Sequence, residues 1–159
     1  MAKHRVIDRS RRTALKNGTL LAAAMAAGLL RPAVVLAQWN KEAFEAKTLA
    51  DALKKLKITA PVESKDIVIK MQDIAENGAM VPVEIQSNIP DTQRITVLID
   101  KNPFPYAAAF DVSHGALPFV ALRLKIGESS NVRAVVATAD GKLYSAHKEV
   151  RVTIGGCGG

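Results

Sequence analysis

VRAVVAT (132–138), ADGK (139–142) and LYSAHKEVRVTI (143–154) form the stretch on which the fold turns. Two runs rich in Val and Ala flank Asp140-Gly141, a dipeptide that reverses a β-chain because glycine accepts positive φ. The spacing predicts two antiparallel strands, Val132–Thr138 and Leu143–Ile154, joined by a two-residue hairpin turn. Ile154 is then the last anchored residue, and a tail starts abruptly at Gly155.

The same period of two recurs upstream, at Asp66–Met71, Met80–Gln86, Arg94–Asp100, Ala107–Val112 and Phe119–Ile126. Turn chemistry separates the runs: Asn77-Gly78, Asn88 to Pro90, the Pro103 and Pro105 pair, Gly115, and Gly127 to Ser130. Seven short strands at this spacing predict an all-β domain over residues 63–154, an immunoglobulin-like antiparallel β-sandwich. No Cys…Trp…Cys pattern accompanies them, so the expectation rests on strand count and spacing. Ahead of the strands, Phe44, Ala46, Leu49, Ala50, Leu53 and Leu56 recur at helical spacing, with Asn40 placed to cap and Lys54, Lys55 and Lys57 complementing the dipole of the last turn. Residues 38–62 are therefore expected to be an N-terminal helical segment, whose lysines form a solvated face.

Residues 1–37 read as an export address. Ser10-Arg11-Arg12-Thr13-Ala14-Leu15-Lys16 is a twin-arginine pattern, followed by an apolar run from Thr19 to Leu30 and by Val35-Leu36-Ala37 at a cleavage position. The apolar run falls short of the roughly 18 residues of a spanning helix. A cleaved signal, a periplasmic destination and no membrane attachment after cleavage are expected. Of the 22 Lys and Arg and 15 Asp and Glu in the chain, the signal holds seven and one. The remainder is nearly neutral, so the basic character of the whole chain is no sign of nucleic-acid binding.

Gly155-Gly156-Cys157-Gly158-Gly159 carries the only cysteine of the sequence. Glycine on both sides cannot pack against or shield the thiol, and it leaves the backbone free. Residues 155–159 are expected to be a flexible arm that extends Cys157 up to about 10 Å beyond Ile154. No Lys, Arg or His stands within five residues of Cys157. Nothing nearby in sequence therefore raises its thiolate fraction above the roughly 3% of an ordinary cysteine at neutral pH. An accessible thiol without its own activation suits a carrier loaded by other proteins better than a catalyst.

The other candidate groups do not assemble a centre. His114 lies in a Ser-His-Gly turn, His147 sits in a strand, and Asp111 and Glu128 are isolated acids. The sequence lacks ligand spacing for a metal, a nucleotide loop, a G-x-S-x-G elbow and a C-x-x-C pair, so neither cofactor nor catalytic site is expected. Two alternatives remain open at this level. One is a periplasmic interaction domain whose tail cysteine forms an intermolecular disulfide. The other is a carrier activated at a terminal Gly-Gly, which the twin-arginine signal argues against because acyl-adenylate activation uses cytoplasmic ATP.

With signal and tail both in view, the chain resembles SoxY, the cysteine-bearing subunit of the SoxYZ sulfur carrier of thiosulfate oxidation. Val150 to Gly159 looks like that family's C-terminal signature, and Ala75 to Val83 and Lys101-Asn102-Pro103-Phe104-Pro105 look like its internal segments. The resemblance implies an immunoglobulin-like fold and covalent attachment of sulfur at Cys157, with Gly155, Gly156, Gly158 and Gly159 as the arm. It also implies a heterodimer with a SoxZ-like subunit and service by a c-type cytochrome sulfur-conjugating enzyme, a sulfate-releasing hydrolase and, where present, a sulfane dehydrogenase.

Overall fold

The computed structural model describes residues 40–112 and 115–154. The export segment 1–37, His114 and the Gly155–Gly159 stretch lie outside the described residues. Two short helices, α1 (Lys41–Phe44) and α2 (Leu49–Lys55), are followed by nine strands. These are β1 (Val62–Glu63), β2 (Ile67–Lys70), β3 (Ile74–Asn77), β4 (Val81–Ser87), β5 (Thr92–Ile99), β6 (Tyr106–Asp111), β7 (Phe119–Leu124), β8 (Ser130–Thr138) and β9 (Leu143–Ile154).

The strands form two sheets. One runs β2-β4-β7, and the other runs β9-β8-β5-β6 with β1 and β3 added along the outer edge of β9. β2 and β4 to β9 pair with one another antiparallel and pack as an immunoglobulin-like sandwich. β4 shows why the period of two was legible: Val81, Val83 and Ile85 are buried while Pro82, Glu84 and Gln86 face water. They meet Ile95, Val97 and Val132 from the opposite sheet in the main core. Each fully buried Val or Ile contributes on the order of 1.5–3 kcal/mol.

β5 and β8 are covered on both faces, because Leu98 and Val135 point away from the sandwich into a second cluster with Ala43, Ala46, Ala52 and Tyr106. The helices thus roof the larger sheet, and the Phe44 and Tyr106 rings meet at 4.1 Å between centroids. The single helix expected over 40–56 is broken at Glu45–Thr48. Asn40 caps α1 by accepting from Ala43 N, and the extended Thr48 caps α2 by accepting from Asp51 N, each at 3.1 Å. Apolar spacing continued across the break because both helices bury the same face.

The hairpin between β8 and β9 is also longer than expected. Gly141 N donates to Thr138 O at 2.9 Å, and Thr138 N donates to Lys142 O at 3.1 Å. Gly141 sits at φ +80°, so the reversal is a three-residue loop with glycine in the left-handed position rather than a two-residue turn. A third difference is the pair of short parallel strands. β1 lies along the start of β9 (Val62↔Tyr144) and β3 along its end (Ile74↔Arg151, Asn77↔Ile154). Runs of two and four residues, with burial patterns that do not alternate, carry no periodicity to read.

This hairpin can be tested at two positions. Open space surrounds the Gly141 Cα, so Gly141→Ala should cost about 1 kcal/mol through φ alone, measured as a lower urea midpoint at unchanged m-value. Asp140 is held at about 2 by hydrogen bonds first from Lys142 and then from Thr138. A carboxyl depressed in the folded state stabilises above its ordinary range and loses that contribution as pH falls through the folded value. Wild type should exceed Asp140→Asn in urea midpoint at pH 5, and the gap should narrow toward pH 2; a gap independent of pH would contradict this.

Candidate functional site

Cys157 and its four glycines come after Ile154, the last described residue, so the structural part of the site is the root from which they leave. β8 accompanies β9 only as far as Ser130↔Val150. Arg151 to Ile154 overhang by about 13 Å, at 3.3 Å per residue, and their backbone groups must find partners elsewhere.

They find them on both sides. On the outer side Arg151 N donates to Asp73 O at 2.9 Å, Gly78 N donates to Ile154 O at 2.8 Å, and the Thr153 hydroxyl donates to Glu76 O at 2.9 Å. On the inner side Val152 N donates to Ser129 Oγ at 2.9 Å, replacing the missing rung of β8. Asn77 and Gly78 form the predicted turn, with Asn77 Oδ1 accepting from Ala79 N at 2.8 Å. Lys148 of β9 reaches the segment ahead of β3: its Nζ donates to Met71 O at 2.7 Å and lies 3.0 Å from the Asp73 carboxylate.

The two internal segments singled out in the sequence converge here. Gly78, within Ala75 to Val83, holds Ile154 and accepts from Ile126 N at 2.7 Å. Asn102, within Lys101 to Pro105, bonds Lys125 O and Gly127 N on either side of Ile126. Ile74, Met80 and Ile154 are exposed apolar side chains on the segments that form this root. Asn77, Gly78, Asn102, Ser129 and Lys148 were legible as turn or surface residues but not as supports of the tail, since their bonds join segments up to 77 residues apart.

The remaining candidates stay apart. Asp111 pairs with Arg94 at 2.6 Å, and this hydrogen bond holds the carboxyl below and the guanidinium above their usual ranges. Glu128 is exposed in the loop after β7, at the other end of the sandwich. His147 Nδ1 faces Glu63 at 3.7 Å. Among the described residues, no three His, Cys, Asp or Glu side chains converge as a metal site, and no helix is long and apolar enough to cross a membrane. An open groove of about 1010 Å³ lined by Asn88, Asp91, Thr92, Arg94, Asp111 and Pro118 lies at the end of the sandwich where β9 begins. β9 spans roughly 40 Å between the two ends, well beyond the reach of a thiol three residues past Ile154.

Residues 41–157 match the family described as sulfur oxidation protein SoxY. The structure is similar to that of the sulfur carrier protein SoxY from Chlorobium limicola f thiosulfatophilum, with 41% identity, a TM-score of 0.60, and 67% of this chain and 97% of that chain covered. A superoxide reductase from Thermotoga maritima, described as putative, is similar at 15% identity and a TM-score of 0.51 over 58% of this chain and 93% of that one. That second likeness is one of fold alone. No curated protein matches the chain.

Because Lys148 ties the approach to β3 onto β9, Lys148→Met should loosen that edge by about 1 kcal/mol. Amide hydrogen exchange at Arg151 should accelerate while Val97 and Val135 keep their protection. Unchanged exchange at Arg151 would show that Lys148 does not hold β3.

Proposed function

Because the chain belongs to the SoxY family of sulfur oxidation proteins, we propose that it is a periplasmic carrier that holds sulfur covalently on Cys157 during thiosulfate oxidation. The observation that carries the proposal is the extent of the family match, which runs to residue 157, the sole cysteine of the sequence. The twin-arginine pattern of residues 10–16 supports the location.

The chemistry required of the thiol is modest. Joining Cys157 Sγ to the outer sulfur of thiosulfate forms one S–S bond, releases the thiol proton and gives up two electrons to a c-type cytochrome enzyme. Water then cleaves the distal S–S bond, sulfate and protons leave, and a persulfide remains on Cys157. A sulfane dehydrogenase, where present, oxidises that outer sulfur further. At each stage the oxidant or hydrolytic machinery belongs to a partner enzyme, and the carrier supplies only the attachment atom and its presentation.

A bare glycine arm suits several partners because it has no side chain specific to any one of them. Ordering it costs on the order of 1–2 kcal/mol per residue, which keeps each encounter short. A SoxZ-like subunit as a heterodimeric partner completes the proposal. Exposed apolar side chains such as Phe119 and Leu117, on the sandwich away from the root, leave surface for such a neighbour.

Thiosulfate-dependent cytochrome reduction in a reconstituted system tests this. Cys157→Ser should abolish it, and Gly156→Val should slow it about tenfold or more through misplacement of the thiol with an unchanged melting temperature. Full turnover with Cys157→Ser would end the proposal. Normal turnover with a destabilised Gly156→Val domain would contradict the role given to the glycines.

A further inference from the structure

The loop between β7 and β8, residues 125–129, holds the end of β9 by two routes. One passes from Ile126 N to Gly78 O and from Gly78 N to Ile154 O; the other joins Val152 N to Ser129 Oγ. The loop is in turn fixed by one side chain from a third element. Asn102, between β5 and β6, donates Nδ2–H to Lys125 O at 2.8 Å and accepts Gly127 N–H on Oδ1 at 3.0 Å. Its carboxamide therefore brackets Ile126, which is fully buried and cannot itself shift without opening the core. A donor and an acceptor on one short planar head are a property of asparagine that Asp and Leu lack.

Asn102 is well seated. Its own N–H reaches Ile99 O at 3.2 Å, and the neighbouring Lys101 N donates to Ser130 Oγ at 3.0 Å. Asp100, just before, holds Arg133 through two hydrogen bonds of 2.9 and 3.1 Å. This ion pair is sheltered, with both side chains less than a quarter exposed. The carboxamide is thus pinned to the sheet on one side and grips the loop on the other.

We infer that Asn102 is a positioning residue for the carrier site: through residues 125–127 and Gly78 it fixes where Ile154 ends, and so the point from which Cys157 is presented. This rests on the reading of Cys157 as the sulfur-bearing residue. A leash of up to about 10 Å leaves from this root, so a displaced root shifts the whole range the thiol can reach, and misplacement on the scale of 1 Å is enough to slow a docked reaction. Asn102 lies 55 residues before Cys157 in sequence, and its effect is exerted through the geometry of the root.

The test uses the protein with its partner subunit bound, as wild type, Asn102→Ala and Asn102→Asp. Three quantities are read: amide hydrogen exchange at Gly78, Ile126, Val97 and Val135; KM and kcat for enzymatic loading with thiosulfate; and alkylation of Cys157 by iodoacetamide. In Asn102→Ala, exchange at Gly78 and Ile126 should rise about tenfold or more while Val97 and Val135 stay protected. The KM for the carrier should rise severalfold, and alkylation, which needs no docking, should keep its wild-type rate. Asn102→Asp keeps the acceptor for Gly127 and should fall between the two; it carries the same readouts if Asn102→Ala does not fold. Unchanged exchange at Gly78 and Ile126, or faster exchange with unchanged KM, overturns the inference while a loaded wild type leaves the carrier function standing. A wild type that never takes up sulfur on Cys157 overturns both.

Discussion

Four residues of β9, Arg151 to Ile154, extend past the end of β8, and a β-strand without neighbours in water does not hold its direction. Backbone N–H and C=O groups on such an overhang either find partners or return to solvent with the strand frayed. Here the partners are supplied by β3 on one side and by Ser129 on the other. The last partner along the strand is Gly78, whose N–H meets Ile154 O. The rest of the molecule serves that anchorage. The sandwich core fixes β8 and the first two thirds of β9, the helical roof buries the second face of β5 and β8, and the loops at this end are joined by side-chain bonds from Asn102 and Ser130.

For the proposed carrier role, a stiff root and a bare tail are complementary requirements. Stiffness in the strand without freedom in the tail would present sulfur to one partner in one pose. Freedom without stiffness would spread the thiol over a volume in which few encounters are productive. Ile154 still takes part in the sheet, and the sequence beyond it is four glycines around Cys157. The chain belongs to the SoxY family of sulfur oxidation proteins. Among the described residues no three His, Cys, Asp or Glu side chains converge as a metal site.

Much of the sandwich could be read from the amino acids because its longer strands alternate. β4 and β9 match their expected spans within one residue at either end, and the remaining long strands differ by two residues or fewer. What escaped was short or non-local. β1 and β3 have too few residues to show a period, and they pair in parallel with a strand about 80 residues away. The break between α1 and α2 left the apolar spacing intact and was signalled only by Thr48, a capping residue inside a helical pattern. At the site, Cys157 stood out from composition alone. The residues that hold its base did not, because Asn77, Gly78 and Asn102 look like ordinary turn residues until the fold brings their loops together. Turn chemistry states that a chain bends, and it does not say which other bend it meets.

If one sulfur atom on this tail is where cargo is covalently attached, the attachment can be weighed. Peptide mapping with intact mass, on the protein isolated after incubation with thiosulfate and a periplasmic extract, reads it without an intermediary. Sulfur-bearing adducts should appear on the peptide that contains Cys157, and a thiol reductant should release them. An unmodified Cys157, or an adduct on any other residue, would contradict the carrier role.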